Sequence, residues 1–450
     1  MNWGIKLAGI IVLGGSLFLT GCPDKSKPDL PANNTETENT EVAAALELLQ
    51  KNKGTFVKND VGTVIAVTLG LSNPLAPDAQ AELFEAINRL VDLEKVTFSG
   101  SEIDDDSILR LTNLKKIKTA HFNNANITTA SLEMMAETMK DLTDLSVNRC
   151  VKLDGDSLIA IVDGMPQLKI LDLQSNLFTT FDLRVLPDLP ELQQLDLRQC
   201  TALQGEVLKH VAEIPTLTVL RIRGAMYFDN SIENLAGHPA LKAVFLQEAQ
   251  VSDKCLDSLM NIPTLIDLSL FRLLNITNDG LKKLEGSKLQ RLLIRVNSHI
   301  DDKGIAVIRN LPDLTRLILY ELPAVTDDGL IAAVSGNKKL FSLSLYDMEG
   351  VTDKSVEALK TMPALRILEF RKTGQSDETL KTAASLPRLE TIIIGVNGKF
   401  TDVGLAYLGE SKTLKTIDIK NVTGISAKGV SEFKAKYPKI TITTTTDLPE

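Results

Sequence analysis

Two kinds of side chain in this 450-residue chain first invite a chemical reading: runs of aspartate and four histidines. Paired carboxylates can do acid–base work or hold a hard cation, and histidines combined with carboxylates can hold zinc. The aspartates occur as Asp104-Asp105-Asp106, Asp301-Asp302 and Asp327-Asp328. Each run falls where a helical pattern begins. There a carboxylate accepts from the free amides of the first turn and complements the helix dipole. Capping is therefore the expected role, not metal binding. His121, His210, His238 and His299 are scattered, with no H-E-x-x-H and no close pair. G-x-S-x-G and Walker A sequences do not occur. The expectation is no catalytic residue, no metal, no cofactor and no enzymatic activity.

The elements that carry these residues repeat. The pattern Φ-x-x-Φ-x-Φ starts at Leu93, Ile117, Leu142, Leu168, Leu192, Leu217, Leu241, Leu265, Leu289, Leu314, Leu340, Leu365, Leu389 and Leu414, a period of 24 to 26 residues. Within it, strand alternation turns Φ inward and leaves the third, fifth and seventh residues on the open face. Eight residues after each start comes a small residue or Asn, including Cys150, Asn176, Cys200, Asn297 and Asn397. There an amide can satisfy buried backbone groups. Leu273, Leu322, Met348 and Val422 break that rule. A Ser, Thr or Asp then caps a helix, as at Asp104, Thr128, Asp154, Ser252, Thr277, Asp301, Thr352, Thr401 and Ser426. Proline stops the helix two residues before the next start, as at Pro166, Pro190 and Pro312. Val64, Val67 and Leu69 fit the strand template once at one end, and Tyr437, Ile440 and Ile442 once at the other, so about sixteen parallel strands are expected.

A period in this range marks a leucine-rich-repeat solenoid. The expected fold class is α/β: a horseshoe with a concave parallel sheet and helices on the convex side. ITNDGLKKL (276–284), VTDDGLIAAV (325–334), VTDKSVEAL (351–359) and FTDVGLAYL (400–408) resemble the cysteine-containing, RNI-like subclass of these repeats. The resemblance covers about 93 to 430 and implies a right-handed horseshoe used for protein contacts. In eukaryotes such repeats often select substrates for ubiquitin ligases behind an F-box; no F-box-like segment precedes residue 93, and that activity is not carried over. Cys150 and Cys200 share a repeat position two coils apart, ~10 Å at strand spacing, beyond disulfide reach. Three buried, unpaired thiols are expected, the third being Cys255.

The amino terminus reads differently. Lys6 precedes an apolar run from Leu7 to Leu19, too short to span a bilayer comfortably, followed by Leu19-Thr20-Gly21-Cys22. This resembles a bacterial lipobox and the exported lipoproteins that carry it, which implies cleavage before Cys22 and acylation of its thiol. The expected organisation is a signal peptide at 1–21, a disordered tether at 22–40, a capping helix and lead-in at 41–63, the repeat domain at 64–443 and a tail at 444–450.

Composition narrows the partner. The apolar fraction is 44%, ample for a continuous core, and the net charge of −9 argues against nucleic acid. Between 192 and 346 the open strand face concentrates Arg198, Arg221, Arg223, Arg291, Arg295 and Arg316, against Asp196 and Asp267, together with Phe245, Phe271, Tyr320 and Tyr346. Arg and aromatics are enriched at binding hot spots. The expected function is a membrane-anchored binding module of the cell envelope that takes a protein or an acidic polymer on this patch. A structural spacer without a ligand and a substrate-adaptor-like protein are the alternatives.

Overall fold

In a computed structural model, residues 33–444 are described. Each Φ-x-x-Φ-x-Φ segment forms a strand that pairs in parallel, and in register, with the one before it. The series runs from Val64–Gly70 to Thr441–Thr444. With the edge strand Thr55–Lys58 they make one 17-stranded sheet. That edge strand pairs antiparallel with Val64–Gly70 and was not foreseen; TFVK is too short to show a period. From Val64–Gly70 to Thr416–Lys420, each strand is followed by a helix or 3-10 turn on the other side. A helix is ~10 Å wide whereas strands lie ~4.8 Å apart, so the sheet lines the inner arc of the curve.

The ends depart from the reading above. The first helix is Asn33–Lys51, eight residues ahead of Glu41 and inside the segment given to the tether. Extending a formed helix costs far less than starting one. At the other end Ile442, not Ile440, lies level with Ile417. The final helix, Ala427–Lys436, takes Tyr437 out of the strand frame and packs it on Phe433 at 4.9 Å. The signal peptide, Cys22 and the tail beyond 444 fall outside the described residues.

The core is continuous. Inward strand residues such as Leu195, Leu197, Leu317 and Leu319 are buried, and Phe84, Phe98 and Phe122 stack tilted at 5.4 and 5.9 Å in the first coils. The inward asparagines do what their chemistry requires. Asn176 Nδ2 donates to the carbonyls of Val147 and Leu173, and Asn297 Nδ2 to those of Leu273 and Ile276. Cys150, Cys200 and Cys255 are buried and unpaired. Burial pushes the Cys150 thiol up to about 12 and that of Cys200 to about 11.

One residue before each inward bend, the backbone turns left-handed. Among the described residues, thirteen other than glycine have positive φ, and twelve of them hold this place, among them Arg149, Glu248, Val296, Asp347 and Val396. A β-branched side chain is poorly suited to that region. Val396→Gly should therefore stabilise the protein by about 1 kcal/mol, the order of the left-handed penalty; a lower melting temperature would contradict this.

The aspartates at the helix starts do more than cap. Thr128, Thr277, Thr326, Thr352, Thr401 and Ser426 cap their own helices, and each is also gripped by the preceding coil. Asp302 accepts the Thr326 backbone N–H at 2.6 Å and its hydroxyl at 2.7 Å. Asp253, Asp327, Asp353, Asp377 and Asp402 repeat the arrangement toward Thr277, Thr352, Ser376, Thr401 and Ser426. A row of carboxylate clasps thus ties coil to coil. Burial works against ionisation of Asp353, but hydrogen bonds from Ser376 and Thr379 outweigh it and hold the group below its usual value; Asp105 behaves alike toward Ser131 and Thr128. A depressed folded value means the stabilisation is complete above the unfolded pKa, about 3.9, and is lost as pH falls through the folded one. The melting temperature should therefore hold from pH 7 to 5 and drop below about pH 4. Asp353→Asn should melt lower at neutral pH and change less on acidification; an acid limb as steep as the parent's would rule the clasp out as its cause.

Candidate interaction surface on the strand face

Parallel register places equivalent positions of successive strands side by side, so the open face reads as rows. The row of seventh positions is the most ordered. It runs Arg198, Arg223, Gln247, Phe271, Arg295, Tyr320, Tyr346, Arg371. The Arg295 guanidinium is sandwiched, 4.5 Å from the Phe271 ring centre and 4.0 Å from that of Tyr320. Tyr320 stacks on Tyr346 at 4.2 Å with 28° between planes, and Arg371 lies 6.0 Å over Tyr346. Five flat groups therefore form one ladder, ~19 Å long at strand spacing. Each cation–π step contributes about 0.5–2 kcal/mol, so the side chains are held before any partner arrives. Burial, and then the hydrogen bond with Tyr346, push the Tyr320 hydroxyl up to about 12. The Nε atoms of Arg295 and Arg371 are buried in the ladder without a hydrogen-bond partner.

The other foreseen residues divide in two. Arg198, Arg223 and Arg291 are neutralised within the face: Arg198 by Asp196 at 2.6 Å, Arg223 by Glu248 at 2.6 Å and Arg291 by Asp267 at 2.8 Å. Arg221, Arg295 and Arg316 have no carboxylate at ion-pair distance among the described residues and lie instead against Phe245, Phe271 with Tyr320, and Phe341 respectively. Burial lowers the Arg221 guanidinium from its ordinary value. Phe245 sits between Arg221 at 4.9 Å and Arg291 at 5.7 Å. The patch is thus one of arginine–aromatic stacks more than of free positive charge.

Several residues that shape it were missed. Arg371 belongs to the row but lies one coil beyond 346, and it pairs with Glu369 at 2.5 Å. Glu248 occupies the left-handed eighth position and also holds Arg272, at 2.9 Å. Leu293 and Ile318 are adjacent in the middle row and half-buried on the open face, beside the ladder. The third, fifth and seventh positions of the next repeat would have revealed Arg371; nothing in the sequence says which carboxylate takes which arginine. Toward the amino-terminal end the face turns polar. His121 sits there as its repeat position implied and meets Asp144 at 3.2 Å. Burial and the neighbouring Asp196 raise the Asp172 carboxyl. His238 is buried instead, its Nε2 3.0 Å from the Ile214 carbonyl. The described residues contain no group of three or more side chains suited to a metal, and no helix among them is long and apolar enough to cross a membrane.

Residues 144–201 match the Leucine rich repeat family. No curated protein matches the chain in sequence. Among solved structures, a chain of the yeast Rad7–Elc1 complex is similar with a TM-score of 0.54 and 18% identity, over 91% of this chain and 93% of that one. A chain of the TLR13–ssRNA13 complex is similar with a TM-score of 0.54 and 16% identity, over 84% of this chain and 56% of that one. At such identities the likeness is one of fold.

Proposed function

We propose that this chain, a leucine-rich-repeat solenoid by sequence and fold, is a membrane-anchored binding module of a cell envelope that captures a protein through the ladder from Phe271 to Arg371. The observation that carries this reading is the ladder itself. Stacked, half-exposed arginine and tyrosine beside Leu293 and Ile318 offer a row of ring and guanidinium edges whose side-chain entropy is already lost, built from the residue types enriched at hot spots. Neutralisation of Arg198, Arg223 and Arg291 weighs against an acidic polymer as the partner of this face. Solenoids of the same fold have been solved with a protein, in the Rad7–Elc1 complex, and with RNA, in the TLR13–ssRNA13 complex; the −9 charge of this chain favours the protein. Anchoring rests on the Leu19–Cys22 sequence. A site for catalysis or for a cofactor has no support in the residues of this face.

The test is crosslinking in intact cells followed by capture. The Arg295→Ala, Arg316→Ala, Tyr346→Ala triple variant should lose the captured partner, a drop of more than tenfold as expected when hot-spot residues are truncated, while its melting transition stays within a few degrees of the parent. Unchanged capture would retire the ladder as the binding surface and favour the spacer. Cys22→Ser should move the protein from the membrane fraction to the soluble one; retention there would retire the anchor and not the ladder.

A further inference from the structure

The carboxy-terminal end of the solenoid carries a second feature, unconnected with the ladder. Between the last turns lies a hollow of 740 Å³, within the span typical of small-ligand sites, roughly 300–1,000 Å³. It forms because the last helix leaves the repeat frame. Tyr437 is laid against Gly409, where a Cβ would come within 2.1 Å of its ring, and its hydroxyl donates to Glu410. The segments that lead into the last four strands line the space.

Its charge is unlike that of the rest of the molecule. In a chain of net charge −9, the lining holds Arg366, Arg388, Lys412, Lys415, Lys436 and Lys439 against one carboxylate, Glu390. Glu390 is taken by Lys415 at 3.1 Å, and Lys436 reaches Glu410, outside the lining, at 3.8 Å. Arg366, Arg388, Lys412 and Lys439 have no carboxylate at ion-pair distance among the described residues. On the strand face most arginines are paired or stacked; here four cations crowd one hollow with no such partner among the described residues. Like charges so placed repel, and an anion between them turns that cost into binding energy.

We infer that this hollow binds a polyanion with closely spaced phosphates. Four of its six cations are lysines, point charges with three donors each, suited to tetrahedral oxyanions at several angles. Tyr437, Leu414 and Ile440 give the floor an apolar part that a bare inorganic ion would not use, so a phosphate ester fits better than free phosphate. The inference does not depend on the ladder or on its partner.

The probe is tripolyphosphate, titrated calorimetrically into the full chain. Binding is expected, and Arg388→Gln with Lys439→Gln should weaken it about tenfold or more, the scale of lost charge-assisted contacts. Lys412→Gln with Lys439→Gln should act alike, so that misfolding of one pair does not decide the matter. Lys209→Gln with Lys254→Gln, which removes the same charge from exposed helices elsewhere, should bind as the parent does. Phosphatidylglycerol vesicles, offered to the Cys22→Ser protein, identify the source. Co-sedimentation displaced by tripolyphosphate supports the site with a lipid phosphate as its ligand. Binding of tripolyphosphate without co-sedimentation supports it with a soluble ester. No heat with tripolyphosphate, equal loss in the control pair, or citrate binding as tightly as tripolyphosphate would overturn the inference.

Discussion

Gly404→Ala should destabilise the protein by about 2–4 kcal/mol, on the scale of one or two lost charge-assisted bonds, although the same change inside an ordinary helix stabilises by roughly 0.5–1 kcal/mol. The reversed sign comes from the clasp. Gly404 lies in the helix Asp402–Gly409, and a Cβ there would stand 2.1 Å from Asp377 Oδ1 and 2.8 Å from Leu380 Cδ1. Asp377 is not free to yield, because it accepts the Thr401 backbone N–H at 2.8 Å and the Thr401 hydroxyl at 2.5 Å. A methyl group must break the clasp or move the helix. Gly280, Gly329 and Gly429 stand in the same relation to Asp253, Asp302 and Asp402. Where the glycine is replaced, the substitute hydroxyl joins the clasp: Ser131 donates to Asp105 and Thr379 to Asp353, each at 2.5 Å. Two consequences separate this account from a general loss of packing. Gly404→Ser should cost less than Gly404→Ala. In a double-mutant cycle Gly404→Ala should cost little once Asp377→Ala is present, with a coupling of about 1 kcal/mol or more. Additive losses would show that the carboxylate is not what the glycine makes room for.

Tyr227→Phe should stabilise the chain by about 1–2 kcal/mol, the cost of a buried hydroxyl left without a partner. Tyr227 is fully buried and its hydroxyl oxygen has no hydrogen-bond partner; burial also pushes its ionisation far up. The residue holds the inward place just ahead of the helix cap. Most other coils put an aliphatic or aromatic residue there, among them Ile103, Ile127, Leu153, Phe178, Val251, Ile276, Val325 and Phe400, all buried, while one places the buried Gln375. Phenylalanine is thus already accommodated at two equivalent positions, and the change removes one polar atom with little change of shape. The measurement is the denaturation midpoint at constant slope. A lower midpoint would mean that the hydroxyl is satisfied by an ordered water and that its removal leaves a gap.

The amino-acid order by itself determined the architecture. A period of 24 to 26 residues, aliphatic alternation over each short strand, a capping residue and a stopping proline all act within one coil. Local patterns of that kind are written in consecutive residues, so the repeated parallel strands, the inward asparagines and the buried thiols could be read directly, while the short edge strand Thr55–Lys58 could not. The face on which a site residue sits was legible for the same reason, as with Arg295, Tyr320 and His121. Tertiary structure alone decided what happens between coils. Asp302 gripping Thr326, Glu248 neutralising Arg223, and Arg295 closing between Phe271 and Tyr320 join residues about 24 positions apart whose meeting depends on register and rotamer. Short-range interactions fix each coil. A charge or ring finds its partner only once neighbouring coils are stacked, which is why the stripe could be located in the sequence but the neutralisation of half its arginines could not.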